Sequence, residues 1–199
     1  MMSKLPHHHL RIISTAVIAL LFGACLWQLV LAGWIQGKAI VAQQLLNHSW
    51  NMTIIDSSTP HKPWPWADTW PVAKLIVPEY DIEQIVLAGD SGNSLAFGPG
   101  YSFAGAQPNS PGTTIISAHR DTHFQFLKDL KINDKIILQT AEAITHYQVD
   151  DLMIVDSKTF TVPAEQSRQT LILVTCYPLD ALTPGGPLRY LVIAHIKTI

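Results

Sequence analysis

The hydrophobic pattern divides the chain into two parts of different character. From Ile12 to Gly37 no side chain is charged, and between Ala16 and Ile35 the one clearly polar side chain is Gln28. About 20 helical residues span roughly 30 Å, which is the thickness of the hydrocarbon core of a bilayer. The run therefore predicts a single transmembrane helix near the N-terminus.

The charges around this run predict its orientation. Lys4 and Arg11 precede it, and a short basic flank stays on the cytoplasmic side. We therefore expect residues 1–11 in the cytoplasm, residues 12–37 as the membrane anchor and the rest of the chain exported. The alternative is a cleaved signal peptide, whose apolar core is only about 7–15 residues long. The length of the run, and the lack of a clear cleavage site after a short core, favour an uncleaved anchor.

The segment that follows, residues 38–73, has two halves. Its first half, residues 38–50, has a composition that could continue the helix for about three turns. Its second half combines closely spaced prolines with three tryptophans, and proline at this density excludes a helix or a central strand. We expect a helical extension followed by an extended spacer. The pattern leaves open whether the tryptophans pack on the exported domain or lie at the lipid interface: Trp64, Trp66 and Trp70.

From residue 74 to the end, at residue 199, short β-branched runs alternate with turn residues. Eight such runs without long helices between them predict a mainly β domain, either a closed barrel or a sandwich. One stretch, residues 124–130, has the spacing of a single short helix. The predicted strands are Lys74–Val77, Gln84–Leu87, Thr113–Ala118, Lys135–Thr140, Ala143–Val149, Leu152–Asp156, Leu171–Thr175 and Leu188–Ile196.

Composition and charge narrow the function classes. Of the 199 residues 48% are apolar, which argues against a disordered chain, and two cysteines are too few for a disulfide-stapled miniprotein. The net charge of −2 hides an uneven distribution. Residues 1–38 hold three basic and no acidic side chains, whereas residues 39–199 hold the other 10 basic and all 15 acidic ones. An acidic exported domain argues against nucleic acid as a partner, because phosphate binding needs a cationic surface.

The two cysteines are not equivalent. Cys25 lies within the predicted anchor, where it acts as a small apolar residue. Cys176 is then the single cysteine of the exported domain, and it ends the apolar run Leu171–Thr175 just before Tyr177 and Pro178. An unpaired thiol in an oxidising compartment is typically reactive or pairs with another molecule. A buried, inert thiol is the other interpretation that these residues allow.

Two further polar side chains also stand at strand ends. His119 follows the strand Thr113–Ala118, and Arg189 lies near the start of the strand that begins at Leu188. Each alone is typical of a structural or solvated side chain. Together with Cys176 they supply a nucleophile, a proton donor and acceptor, and a guanidinium that stabilises an oxyanion, which is the equipment of acyl transfer. Spacing along the chain does not show that the three meet.

At these positions the sequence resembles the sortases, a family of membrane-anchored cysteine transpeptidases. The family's TLxTC strand corresponds to Ile172–Cys176, with isoleucine in place of the first threonine. The family's arginine corresponds to Arg189, and its histidine to His119 within the segment Ser117–Thr122. The resemblance covers roughly residues 74–197 and implies a closed eight-stranded β-barrel, which agrees with the number of predicted strands.

The resemblance also implies a reaction and a location. Cys176 would attack an LPxTG-like sorting signal of another exported protein, His119 would act as general acid and base, and Arg189 would hold the oxyanion or the substrate backbone. No metal or cofactor is implied. The segment Gly89–Gly100 is similar to a sortase subgroup of Gram-negative bacteria. This similarity would make the protein a single-pass protein of the inner membrane, with its catalytic domain in the periplasm.

Alternative functions stay open at this point. Papain-like proteases place cysteine before histidine, and caspase-like enzymes need a motif that Tyr177 and Pro178 exclude. A cysteine peptidase on the sortase fold would use the same residues, and only the acceptor amine, which the sequence does not identify, separates it from a transpeptidase. A non-enzymatic anchored β-domain that binds a partner is the alternative from another class. The three adjacent histidines, His7–His9, could form a metal site, but three neighbouring histidines on a tail are more typical of solvated side chains.

Overall fold

The computed structural model describes residues 7–162, 169–181, 183 and 185–197, with side chains from Arg11 onward. Most of the predicted cytoplasmic segment, and the side chains of His7–His9, therefore lie outside the described residues. The chain forms two units, Met1–Ala42 and Gln43–Ile199. Helix α1, His7–Ile55, covers the predicted anchor and continues beyond it.

Within the first unit, α1 carries its apolar side chains on all sides. Leu20 is 71% exposed and Ile18 is 65% exposed. A helix that is apolar all round needs an apolar environment, which a bilayer provides. In the described part of the chain one helix, Arg11–Ile55, has the length and the hydropathy of a membrane span, with a mean hydropathy of 2.2 over its most apolar stretch. By length and composition α1 is a candidate membrane span.

The second unit is built on a closed barrel of eight strands, as predicted. The strand order around the barrel is β1-β2-β3-β4-β7-β8-β6-β5. Short helical elements lie between the strands, namely α2 (Gly92–Leu95) and two 3₁₀ turns, Pro78–Tyr80 and Gln125–Lys128. The strands are β1 (Pro71–Val77), β2 (Ile82–Ala88), β3 (Gly100–Tyr101), β4 (Gly112–Ser117), β5 (Lys135–Gln139), β6 (Ile144–Asp156), β7 (Gln169–Cys176) and β8 (Leu188–Ile196).

Two of the predicted strands were wrong, although the total of eight was right. The runs predicted as separate strands, Ala143–Val149 and Leu152–Asp156, form the one long strand β6. Its pairing with β8 shifts register between Val149 and Asp151, so a bulge interrupts the alternation without ending the strand. The eighth strand is β3, which has only two residues and therefore no alternation that a sequence pattern could reveal.

The apolar core fills the inside of the barrel. Alternate residues of the strands point inward, and the closed sheet gives them one shared interior. Burying an aliphatic side chain stabilises the fold by about 1.5–3 kcal/mol relative to exposing it. The same alternation decides which residues point outward from the barrel and can meet a substrate. Core residues with no exposed surface include Leu75, Val86, Ile116, Phe124, Ile136, Leu138, Leu171, Leu173 and Val192.

The end of α1 and the spacer cover part of the outer face of the barrel. Leu46 and Trp50 are buried in one cluster with Ile85 and Leu87 of β2. In the spacer, Trp64 packs edge-on against Phe97, with 4.9 Å between ring centroids, whereas Trp66 is 81% exposed. The question that the sequence left open is therefore answered for Trp64, which packs on the domain.

A close backbone approach at Gly100 predicts a stability effect. A Cβ atom at this position would fall against the carbonyl oxygen of Gly89 and within 2.9 Å of the Asp90 Cα, and backbone atoms do not yield as a flexible side chain would. We expect Gly100→Ala to lower the free energy of unfolding by about 1–3 kcal/mol. Urea unfolding of the full chain in detergent, followed by circular dichroism, measures the change.

The matched control is Gly92→Ala in α2, because a Cβ atom at Gly92 meets nothing within 4 Å. We expect its free energy of unfolding to stay within about 0.5 kcal/mol of the parent value. Equal stabilities for the two variants would contradict the close approach of β3 to the Gly89 backbone.

Candidate active site

Cys176 is the last residue of β7 and carries a free, partly exposed thiol. Its direction follows from alternation along the strand. Leu171 and Leu173 belong to the barrel core and Thr175 is 3% exposed, so these residues face inward. Cys176 therefore faces outward, at the edge of the barrel where β7 ends.

Arg189 lies directly across from Cys176. In the antiparallel ladder between β7 and β8, Cys176 pairs with Arg189, and both residues lie on the outer face. The Nη1 atom of Arg189 donates to the carbonyl oxygens of Gly186 at 2.9 Å and Leu188 at 2.8 Å. The Nη2 and Nε atoms make no hydrogen bond to any residue that the structure describes, so their protons can bind a ligand.

His119 reaches the same edge from the other side of β7. Strands β4 and β7 run parallel and pair up to Ser117 and Val174, and the Ala118 N–H donates to the Val174 carbonyl at 3.2 Å. Extended by two residues beyond the end of β4, the same register would set His119 opposite Cys176. His119 is exposed, and the alternation along β4 puts it on the outer face as well.

A buried hydrogen bond joins the two strand ends behind these residues. The hydroxyl of Thr175 donates to the carbonyl of Ala118 at 2.7 Å. Thr175 precedes Cys176 and Ala118 precedes His119, so this bond holds together the backbones that carry the thiol and the imidazole. Because both groups are out of water, breaking the bond would leave a buried carbonyl without a partner.

The turn after His119 is anchored in the core. The carbonyl oxygen of His119 accepts hydrogen bonds from the N–H groups of Thr122 at 3.4 Å and Phe124 at 3.0 Å. Phe124 is completely buried, so the turn is tied to the barrel interior. Burial lowers the pKa of His123 in this turn, and the nearby charge of His119 lowers it further. A second imidazole, mostly neutral near pH 7, therefore lies close to the first.

The structure thus places the three residues singled out from the sequence on one outer edge of adjacent strands. A thiol, an imidazole and a guanidinium in this arrangement can carry out nucleophilic attack, proton transfer and oxyanion stabilisation. Within the described ranges, no group of three or more histidine, cysteine, aspartate or glutamate residues could hold a metal ion.

Sequence reasoning missed Arg120, which directly follows His119. Its side chain is only 4% exposed and its guanidinium reaches the loop between β7 and β8. The nearest signal in the sequence was its position in the His119 motif. The residue type instead favours an exposed position, since arginine is rarely buried unless it is paired.

Two cavities in the second unit lie at different distances from the edge that carries Cys176, His119 and Arg189. A cavity of about 630 Å³ lies next to it, between the turn after His119 and the loop after Cys176, and is lined by Arg120, Asp121, Gln125, Lys128, Leu179, Asp180 and Ala181. Another, of about 410 Å³, is lined by other residues, including Trp70, Tyr101 and Phe103. Only the first borders the segments that carry His119 and Cys176.

Comparisons with known proteins identify the relatives of the chain. Residues 75–197 match the family described as the sortase domain. Over 119 residues the chain is 28% identical to Sortase D of Bacillus subtilis, and the match covers 59% of this chain and 60% of that protein. The chain thus matches about three fifths of the length of this relative.

Solved structures share the fold. A sortase D5 transpeptidase from Clostridium perfringens has a TM-score of 0.63 at 19% identity, covering 79% of this chain and 99% of that one. Sortase A from Corynebacterium diphtheriae has a TM-score of 0.59 at 24% identity, covering 67% and 64%. The family match extends over more than half of the chain and includes His119, Cys176 and Arg189, so this protein belongs to the sortase family.

Proposed function

We propose that this protein is a membrane-anchored cysteine transpeptidase that cleaves an LPxTG-like sorting signal of an exported protein and transfers the cleaved protein to an amine. The observation that carries the proposal is the strand register. Cys176 pairs with Arg189 across β7 and β8, and β4, whose pairing with β7 ends at Ser117 and Val174, leads directly into His119. The same edge of the neighbouring strands β4, β7 and β8 thus carries the three groups that acyl transfer needs, which supports the proposal.

In the acylation step, Cys176 is the nucleophile. The thiol proton passes to His119, and the sulfur forms a bond with the threonine carbonyl carbon of the sorting signal. The C–N bond to the following glycine then breaks, and the nitrogen takes the proton from His119 and leaves as an amine. Splitting amide cleavage into two steps through a thioester lowers the highest barrier. The products are a thioacyl enzyme and the released C-terminal peptide.

In the second step an incoming amine attacks the thioester. His119 accepts the amine proton as the new C–N bond forms, and the proton returns to the sulfur as the C–S bond breaks. Water attacking the same thioester would give hydrolysis instead. The roles of Cys176, His119 and Arg189 are the same in both reactions, so the choice of acceptor decides between them.

Arg189 stabilises the negative charge that develops on the carbonyl oxygen in both steps. Its Nη1 protons are held by the carbonyls of Gly186 and Leu188, which fixes the guanidinium against the end of the β7–β8 loop. The remaining donors are then oriented before the substrate binds. Removing one donor from such a site typically costs about 10²–10³-fold in kcat, or roughly 3–4 kcal/mol.

We further propose how the chain is arranged at the membrane. Residues 12–37 anchor it, residues 38–73 connect the anchor to the barrel, and residues 74–199 form the catalytic domain. The basic flank with Lys4 and Arg11 favours a cytoplasmic N-terminus and so a catalytic domain on the extracytoplasmic side, which is the periplasmic side of an inner membrane if the protein belongs to the Gram-negative subgroup. The assignment to a Gram-negative subgroup stays a prediction from the segment Gly89–Gly100.

The experiment that tests the proposal traps the intermediate. The full chain in detergent is incubated with peptides that contain an LPxTG-like motif and vary in its third residue, with and without hydroxylamine. We expect a mass increase on the peptide that contains Cys176, equal to the acyl part of the substrate, and a hydroxamate product when hydroxylamine is present. Cleavage without an adduct on Cys176, or no cleavage of any peptide in the series, would contradict the proposal. The ratio of hydroxamate to free acid measures transfer against hydrolysis.

A further inference from the structure

Arg120 is a buried guanidinium between the two segments that carry the candidate site. Its side chain is 4% exposed. Nη1 donates to the carbonyl of Pro178 at 2.8 Å, and Nη2 donates to the carbonyls of Ala181 at 2.8 Å and Thr183 at 3.0 Å. Three backbone acceptors of one short loop thus converge on a single side chain.

These hydrogen bonds make burial of the charge tolerable. An unpaired buried charge is strongly unfavourable, whereas hydrogen bonds from a charged donor are the stronger kind. Among the residues that the structure describes, the one carboxylate in contact is that of Asp121, which approaches Nε at 3.3 Å and has 70% of its side chain exposed. Such a pair is screened by water and contributes little. The loop carbonyls are therefore the main partners of Arg120.

The loop that Arg120 holds joins two of the candidate catalytic residues. Residues 177–187 connect Cys176 at the end of β7 to Arg189 near the start of β8. The loop contains Gly185 and Gly186, both with left-handed φ values of 111° and 94°, so its backbone is intrinsically permissive. Arg120 itself is bonded covalently to His119. One side chain therefore links the segments that carry all three groups.

We propose that Arg120 is a positioning residue that holds the β7–β8 loop against the turn of His119, and so keeps Cys176, His119 and Arg189 in a reactive arrangement. The inference rests on the proposed transpeptidase function. Arg120 points to the loop carbonyls and does not touch the reacting atoms. Its contribution is to orientation, and a displacement of about 1 Å between reacting groups can cost about 100-fold in rate.

Arginine suits this task better than lysine. The three accepting carbonyls are distributed over residues 178–183, and a planar guanidinium presents its donors in a fixed fork that can span them. An ammonium group keeps the charge but concentrates its donors at one point. The substitution Arg120→Lys therefore separates charge from geometry.

The test compares Arg120→Ala and Arg120→Lys with the parent chain, each in full length in detergent. Two quantities are measured after normalisation to the folded fraction from circular dichroism. One is kcat and KM for a cleaved LPxTG-like peptide, and the other is the rate of Cys176 alkylation by iodoacetamide as a function of pH. We expect kcat to fall by about 100-fold in Arg120→Ala and by roughly tenfold in Arg120→Lys, with KM changing less than kcat.

The alkylation profile distinguishes positioning from simple stability. In the folded fraction of Arg120→Ala we expect the pH profile to move toward that of His119→Ala, because the imidazole no longer lies in place beside the thiol. If Arg120→Ala yields no folded protein, the pH profile of alkylation in Arg120→Lys is compared with that of His119→Ala instead. A kcat within threefold of the parent, together with an unchanged pH profile, would overturn the inference.

A matched control and the parent chain keep the two proposals separable. Asp121→Asn removes the exposed carboxylate partner of Arg120 and leaves the loop carbonyls in place, so we expect kcat within about threefold of the parent. If the parent chain itself cleaves no peptide and His119→Ala leaves its alkylation profile unchanged, the proposed function fails and the inference fails with it. If the parent chain cleaves the peptide and the Arg120 variants cleave it equally well, the inference about Arg120 is overturned and the proposed function stands.

Discussion

Replacing Cys176 with alanine is expected to reduce peptide cleavage by the full chain to the background level. Loss of the nucleophile of a covalent enzyme costs on the order of 10⁶-fold in kcat. The fold should survive, because Cys176 is partly exposed on the outer face of β7 and its thiol makes no disulfide. The measurement is the initial rate of cleavage of an LPxTG-like peptide, with circular dichroism to show that the barrel is intact.

The other cysteine of the chain provides the matched control. Cys25 lies in α1 within the first unit, so Cys25→Ala removes a thiol and leaves every residue of the barrel unit unchanged. We expect this variant to cleave at the parent rate and to keep its single reactive thiol at Cys176. Cleavage that persists in a folded Cys176→Ala variant would mean that another group is the nucleophile.

The variant His119→Ala is expected to show the second largest effect, a loss of about 10²–10⁴-fold in the rate of acylation. In the proposed mechanism the imidazole both accepts the thiol proton and protonates the leaving amine, so removing it slows bond formation and bond cleavage alike. Because the alanine variant lacks the imidazole, the dependence of its rate on pH should also differ in shape. Single-turnover formation of the acyl enzyme between pH 5 and pH 9 measures both changes.

His123 offers a control of the same residue type in the same turn. Burial lowers its pKa, so this imidazole is mostly uncharged near neutral pH. His123 lies four residues after His119 within the turn, further from the end of β4 at Ser117. We expect His123→Gln to acylate within about threefold of the parent rate. Equal losses in the two variants would show that the turn as a whole matters, and not the imidazole of His119.

Most strands could be predicted because the pattern that specifies a strand lies in consecutive residues. Alternating and β-branched runs specify where β1, β2, β4, β5, β7 and β8 lie, since burial of one face acts on consecutive residues. The same local reading failed at β3, where two residues held by neighbouring strands have no pattern of their own. It also failed at β6, where a bulge near Asp151 resembles a strand end in sequence.

The residues of the candidate site could be predicted from the sequence, but their positions relative to one another could not. Cys176, His119 and Arg189 each carry a local signal, which is a reactive residue type at the end or start of an apolar strand. Their proximity depends on β7 lying between β4 and β8 in the barrel. The parallel neighbours β4 and β7 are separated by two other strands along the chain, so no local rule specifies that pairing.

The sequence by itself determined the long apolar run near the N-terminus, the β character of the barrel domain and the three residue types that acyl transfer requires. These features are properties of consecutive residues, and hydrophobic burial and side-chain chemistry act on them wherever they fold. Only the tertiary structure decided that the three side chains share one outer edge, and that Arg120 is buried against the loop after Cys176. Both depend on contacts between residues distant in the chain, and such contacts are specified jointly by the packing of the whole barrel.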